Sequence, residues 1–187
     1  MDDKLEKVEK AARKGRNFDR PPLHLWHPPQ SGDIAIHIAA DGTWFHEGDP
    51  IRRASLVALF ASILRREEDG EYYLVTPAEK WRIDVDLHPL VVNDVEPVEE
   101  GGTSVLRAAL NTGKHIDIGR EHPLFLEPAV GNIAAVRLWH GLTALFSRPA
   151  WYRLVEMAQE REGVLSVVSG DCIFPLQGEQ GAANDGA

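Results

Sequence analysis

The sequence predicts an α+β protein of two small domains, each one copy of a duplicated hairpin, helix, hairpin unit that sets antiparallel strands around one long helix. The first observation behind this is a recurring order. Ile34-Ala35-Ile36 leads through Asp41-Gly42-Thr43-Trp44 to Pro50-Ile51, and Leu106-Arg107-Ala108 leads through Thr112-Gly113-Lys114-His115 to Pro123-Leu124. The second is that an apolar helical run follows each unit: Leu56-Val57-Ala58-Leu59 precedes a strand at 72–75, and Leu154-Val155-Glu156-Met157 precedes one at 164–168. The third is composition. With 187 residues, 43% of them hydrophobic and 26% charged, the chain buries a sizeable core without covalent staples.

The elements follow in order. Leu5, Val8 and Ala12 give the first segment a thin helical stripe that Gly15 stops. Residues 17–32 hold four prolines and read as an extended arm pinned by Leu25 and Trp26, so residues 1–32 form a helix plus arm. The first repeat domain is expected at 33–100. Ile34, Ile36 and Ile38 alternate with smaller or polar residues as a half-buried strand, and Asp41-Gly42 turns it into a second strand at 43–46. Leu56, Leu59, Phe60, Ile63 and Leu64 fall at helical spacing, which predicts a helix over 52–67. Strands at 72–75, 80–85 and 90–98 follow, with a turn at Thr76-Pro77-Ala78-Glu79.

Glu99-Glu100-Gly101-Gly102 is polar and glycine-rich and reads as the boundary to a second repeat domain at 101–177. Its first hairpin has a definite register: a three-residue loop at 111–113 pairs Leu106 with Ile118 and Ala108 with Ile116, and sets Arg107 against Asp117. Another hairpin turns at His140-Gly141. A helix then starts around Pro149, with Trp151, Leu154, Val155 and Ala158 on one face and Gly163 as its stop. Strands at 164–168 and 171–174 close the domain, and the polar tail 178–187 is expected to be disordered.

Charge and motifs exclude several functions. A net charge of −9, from 20 basic and 29 acidic residues, opposes phosphate-driven binding of duplex DNA. The single cysteine, Cys172, rules out an intramolecular disulfide or a cysteine-rich zinc site, and its apolar strand predicts a packed thiol. Residues 1–16 lack the apolar core of a secretory signal, and the longest apolar stretch, 56–64, is about half a bilayer span, so a cytoplasmic protein without a membrane segment is expected. The eight histidines match no metal motif: His24 with His27, His37 with His46 and His115 with His122 are the nearest pairs. No nucleophile elbow, phosphate loop or dinucleotide glycine fingerprint is present, and no cofactor is predicted.

One local conflict points to a site. Arg52 and Arg53 stand at the expected start of a helix, where the macrodipole disfavours positive charge by about 0.3–1 kcal/mol each. Either a salt bridge to Glu47 or Asp49, or simple solvation, offsets them, or they face an anion that the helix N-terminus also attracts. Lys80, Arg82, Arg107 and Arg137 occupy strand positions that would extend a basic lining. Trp81, Trp139 and Trp151 read as core or interface packing, and Trp44 follows a turn.

The ordered set Asp33-Ile34-Ala35-Ile36-His37-Ile38, Asp41-Gly42-Thr43-Trp44-Phe45 and Pro50-Ile51-Arg52-Arg53 closely resembles the bacterial family called domain of unknown function 1285. So do Asp69-Gly70-Glu71-Tyr72-Tyr73-Leu74-Val75-Thr76-Pro77 with Glu79-Lys80, and His122-Pro123-Leu124. The likeness spans residues 20–176 and departs at Asp86-Leu87-His88-Pro89-Leu90, where an Asp-Ala-Pro-Phe-like turn is expected. It implies a duplicated α+β core, a C-terminal part loosely like a pleckstrin-homology fold, and a ligand site at the domain interface. A nucleotide-based ligand and a role in signal transduction come with it, and no established activity does.

The expected function is therefore a non-enzymatic binding module that holds a small anionic, nucleotide-like ligand between its halves. Arg52, Arg53, Lys80 and Arg82 would contact the anion, Arg107 and Arg137 would add to the lining, and Trp44 or Trp81 would stack. The alternative is a protein-interaction adaptor that takes a peptide strand on an exposed sheet edge. A metal-dependent hydrolase built on His37, His46 and an acid ranks third.

Overall fold

The computed structural model describes residues 3–13 and 21–177. Its contacts divide the chain into two compact units. One comprises Met1–Leu90, Asn111–Gly113 and Leu138–Thr143, and the other Val91–Leu110, Lys114–Arg137 and Ala144–Ala187.

In the first unit, helix α1 (Asp3–Arg13) buries the stripe Leu5, Val8 and Ala12 and packs on helix α2. The arm makes a 3-10 turn at Leu23–Leu25. Its anchor is Leu23, fully buried, while Leu25 is exposed. That corrects the expected pin, and the reason lies in strand β4: the Arg65 guanidinium donates to the carbonyls of Leu23 (2.7 Å) and Trp26 (3.0 Å), which fixes which arm residue turns inward.

Strand β1 (Gln30–Ile38) starts three residues before the expected domain edge and buries Ile34, Ile36 and Ile38. It pairs antiparallel with β2 (Trp44–His46), and β2 pairs with the two-residue β3 (Asp49–Pro50). Ala39 donates to Thr43, so the loop between β1 and β2 has three residues, with Gly42 at φ 84°. Helix α2 (Ala54–Ser62) is followed by β4 (Leu64–Arg66), β5 (Tyr72–Val75) and β6 (Lys80–Val85). Thr76 and Glu79 close the turn between β5 and β6. The sheet order is β3-β2-β1-β6-β5-β4, antiparallel except where β1 meets β6 in parallel.

The helix expected over 52–67 is thus nine residues and a strand. Ile63 and Leu64 satisfy helical spacing, yet they gain more from β5: Val75 donates to Ile63, and Leu64 pairs with Leu74. The Ser62 hydroxyl donating back to Leu59 (2.6 Å) competes with a further turn.

In the second unit, β7 (Leu90–Glu100), β8 (Thr103–Leu110) and β9 (His115–Asp117) form a meander. Then come β10 (Leu124–Glu127), β11 (Ile133–Arg137) and β12 (Thr143–Phe146), giving the order β10-β11-β12-β7-β8-β9. The register expected for β8 and β9 is present: Ala108 faces Ile116, Arg107 faces Asp117, and Ile118 donates to Leu106. Helix α3 (Arg148–Glu156), capped by the Ser147 hydroxyl accepting from Ala150, leads into β13 (Gln159–Arg161), β14 (Val164–Ser169) and β15 (Cys172–Pro175). Gly163 turns the hairpin from β13 to β14 instead of stopping the helix, since Arg161 and Val164 pair across it.

The order of hairpin, helix and three-strand meander therefore recurs, with β10, β11 and β12 inserted before the helix of the second copy. Glu99 to Gly102, expected as the domain boundary, is instead the tip of one hairpin: Glu100 faces Thr103 across two glycines at positive φ. The units divide between Leu90 and Val91. The expected disorder of the tail falls outside the described residues. Among the described residues, no helix is long and apolar enough to cross a membrane.

The Trp44 ring stacks on Phe60 of α2 at 6.3 Å between centroids, and both are buried. Phe60→Ala should cost about 3–5 kcal/mol in urea unfolding, whereas truncating the exposed Tyr152 should stay within about 0.5 kcal/mol.

Candidate functional site

Alternation along the strands puts Arg65, Tyr73, Arg82 and Asp33 in one cross-strand row, because β4 pairs Arg65 with Tyr73, β5 pairs Tyr73 with Arg82, and β1 pairs Asp33 with Arg82. Lys80 shares this face and lies over the Tyr73 ring at 4.7 Å. Four of the residues expected to meet an anion lie in this unit. Three of them already meet carboxylates: Arg82 makes two bonds of 3.1 Å to Asp33 and lies 3.6 Å from Glu71, Lys80 lies 3.7 Å from Glu67, and Arg53 lies 2.8 Å from Glu9. The partner of Arg53 is thus on α1, not at Glu47 or Asp49, and Glu9 also holds Arg13. Donating to the Asp33 carboxylate raises the Arg82 pKa further above its already high value.

Arg52 differs. It is exposed, directly precedes the Arg53 cap of α2, and has no carboxylate partner among the described residues. No side chain caps that helix start, and the amides of Ala54 and Ser55 have no acceptor among the described residues.

Neither tryptophan is available for stacking. Trp44 is 2% exposed against Phe60, and its indole N–H has no acceptor among the described residues. Trp81 is 9% exposed, donates to Glu79 (3.3 Å) and carries the Lys4 ammonium 5.4 Å from its ring centre. Burial on the core face of the sheet, dictated for Trp81 by alternation with Ile83 and for Trp44 by pairing with Ile38, removes both from the expected role.

In the second unit, Arg107 bonds Asp117 at 2.7 and 3.0 Å and also pairs with Glu100, which raises its pKa and lowers that of Asp117. Arg137 is exposed and lies over the Phe125 ring at 4.8 Å.

The histidines are not gathered. His37 faces Phe45 and His46 faces Ile36, so the three-residue loop sends the two imidazoles to opposite sides of the hairpin. His37 Nε2 bonds Asp86 at 2.7 Å, and its ring stacks on Phe45 at 5.9 Å. His27 bonds the His24 carbonyl, and His122 bonds the Arg137 carbonyl. Among the described residues no group of three or more histidine, cysteine or acidic side chains is placed to hold a metal ion. Cys172 is partly exposed and donates to Asp171 at 3.4 Å, with burial pushing its thiol pKa up.

Sequence reasoning missed a polar network in the first unit. His88, 4% exposed, shares a 2.7 Å hydrogen bond with Thr143, which also bonds the Tyr72 hydroxyl. Burial raises the Tyr72 pKa. Beside it, His140 holds φ 54°, and burial lowers its pKa. Gly141, at φ 71°, is a tight and strained position for a side chain: a Cβ there would stand 3.2 Å from the Arg66 Cβ and carbonyl oxygen. His88 lies in the one segment where the sequence departs from the family pattern, which was the available signal.

These features define a class: a two-domain α+β protein of repeated supersecondary units, with ion-paired strand faces. The chain belongs to the DUF1285 family. Residues 21–87 match the N-terminal domain of this domain of unknown function, and residues 89–176 match the C-terminal domain of this protein of unknown function. A DUF1285 family protein from Silicibacter pomeroyi DSS-3 has a similar crystal structure, with a TM-score of 0.80 and 40% identity over 90% of this chain and 93% of that one. One from Shewanella baltica OS155 has a TM-score of 0.56 and 29% identity over 66% of this chain and 91% of that one. Among curated proteins there is no match.

The Tyr73 hydroxyl donates to Asp69 at 2.7 Å, and that bond pushes the phenol pKa up to about 12. Because the folded value is the higher one, the stabilisation is complete below about pH 10 and is lost as pH rises through about 12. Asp69→Asn should bring this phenol's transition down towards the ordinary tyrosine value, read by absorbance titration with Tyr73→Phe assigning the signal. An unmoved transition would contradict the assignment to Asp69.

Proposed function

We infer that the chain is a binding module for a small anionic ligand, with nucleotide phosphates as the ligand class. The observation that carries this reading is Arg52: an exposed cation without a carboxylate partner among the described residues, set just before an uncapped helix start. Amide donors and the positive end of the helix dipole favour an anion at such a position, and guanidinium geometry suits phosphate oxygens. Arg53 is next to it but held by Glu9, so a ligand phosphate would compete with that carboxylate. Lys80, Arg82 and Arg107 are engaged by carboxylates and take no first part in the reading. A cytoplasmic role in signal transduction is the setting we propose for that ligand.

Thermal unfolding with cyclic mono- and dinucleotides and nucleoside triphosphates tests it. A ligand binding only the native state at about a hundredfold excess over its Kd adds about 2.7 kcal/mol. A selective shift is expected, abolished in Arg52→Glu, with that variant's own stability within about 1 kcal/mol of the parent. A flat panel, or a shift that survives Arg52→Glu, would sink the reading.

A further inference from the structure

Helix α1 is a short element held by few contacts. Its eleven residues bury three apolar side chains, Leu5, Val8 and Ala12, and it packs on α2. A helix of this length has little stability alone in water, and elements with few buried apolar contacts open locally before the rest of a protein. Two polar contacts supplement the stripe. The Lys4 ammonium lies over the Trp81 ring, and Glu9 reaches across 44 residues to Arg53.

The Glu9 contact has the form of a bound anion. Its Oε2 accepts from Arg53 at 2.8 Å, and its Oε1 accepts from Arg13 at 2.9 and 3.1 Å, so two guanidinium groups share one carboxylate. Arg13 stands one turn along α1 and moves with Glu9, whereas Arg53 belongs to the start of α2. The Arg53 side chain is 50% exposed and that of Glu9 16%. The arginine is therefore open to an incoming anion while Glu9 already holds it.

We propose, building on the anion site read at Arg52, that Glu9 is an autoinhibitory stand-in for the ligand, and that a nucleoside triphosphate displaces it from Arg53 and loosens α1. A single phosphate is satisfied by Arg52 alone, whereas a triphosphate has oxygens for both neighbouring arginines. A terminal phosphate carries more charge than a carboxylate and three acceptor oxygens, so it outcompetes Glu9 for the guanidinium. Ligand binding and α1 docking then oppose each other at Arg53. The coupling is reciprocal: the factor by which the ligand loosens α1 is the factor by which release of α1 tightens the ligand.

The test titrates the full chain with ATP by calorimetry, as parent, Glu9→Gln and Glu6→Gln. Glu6 is exposed on the same helix, so its neutralisation makes the same change in net charge without freeing Arg53. Glu9→Gln should tighten ATP at least about threefold, the scale of one exposed ion pair, and Glu6→Gln should stay within about 1.5-fold of the parent. Hydrogen exchange read by mass spectrometry follows α1 and, on the parent, needs no substitution. Residues 3–13 should exchange faster with saturating ATP in the parent, and in Glu9→Gln should exchange fast already, with no further gain from ATP. ATP binding that Arg52→Glu abolishes, combined with no tightening in Glu9→Gln or with α1 exchange that ATP leaves unchanged or slows, would overturn the autoinhibition and leave the ligand reading standing. No ATP binding by parent or Glu9→Gln would overturn it as well, and a flat response to the other nucleotides would then take the ligand reading with it.

Discussion

The parallel pairing of β1 with β6 is the constraint on which the first unit depends. Every other neighbour in that sheet is antiparallel, and most are joined by a short turn, whereas this pair joins strands with Lys80 matched to Gln30 and Arg82 to Asp33. A parallel pair needs a long crossover, and here it holds β2, β3, α2, β4 and β5. Closing it sets Ile34, Ile36 and Ile38 beside Trp81 and Ile83 on a buried face, and Phe60 of α2 covers the adjoining Trp44. The opposite face follows automatically, since a strand offers alternate residues to alternate sides.

That second face explains how a chain of net charge −9 keeps cations in its strands. Arg65 is 12% exposed in its side chain and neutralised by Glu67, Lys80 shares Glu67, and Arg82 is divided between Asp33 and Glu71. Arg65 also binds two arm carbonyls, so its charge is used to fasten the arm to the sheet. The more exposed pairs among these, Arg82 with Asp33 and Glu71, contribute little singly. Their effect is to fix register: a slip of one residue would turn Arg82 and Lys80 inward and Trp81 outward.

Local periodicity made much of this legible. The Arg107 and Asp117 bond could be read from parity alone, because a three-residue loop and two apolar pairs leave one register. Strands β5 and β6 and the α1 stripe were equally plain. What stayed hidden was decided at long range. Glu9 reaches Arg53 across 44 residues, and Thr143 reaches His88 across 55, distances at which spacing carries no information. The end of α2 was hidden for another reason: Ile63 and Leu64 fit a helix and a strand alike, and only pairing with β5 decides between them. The two glycines after Glu100 look like a linker because hairpin tips and linkers share a composition.

The first unit borrows a short piece of distant chain: Leu138–Thr143 supplies Gly141 against Arg66 and Thr143 between His88 and Tyr72. A sequence boundary between residues 87 and 89 therefore does not mark a severable building block. Gene recombination at that point would give an N-terminal half without the cover on β4 and with His88 deprived of its hydroxyl partner. The N-terminal half is therefore poorly suited to domain shuffling as a free cassette.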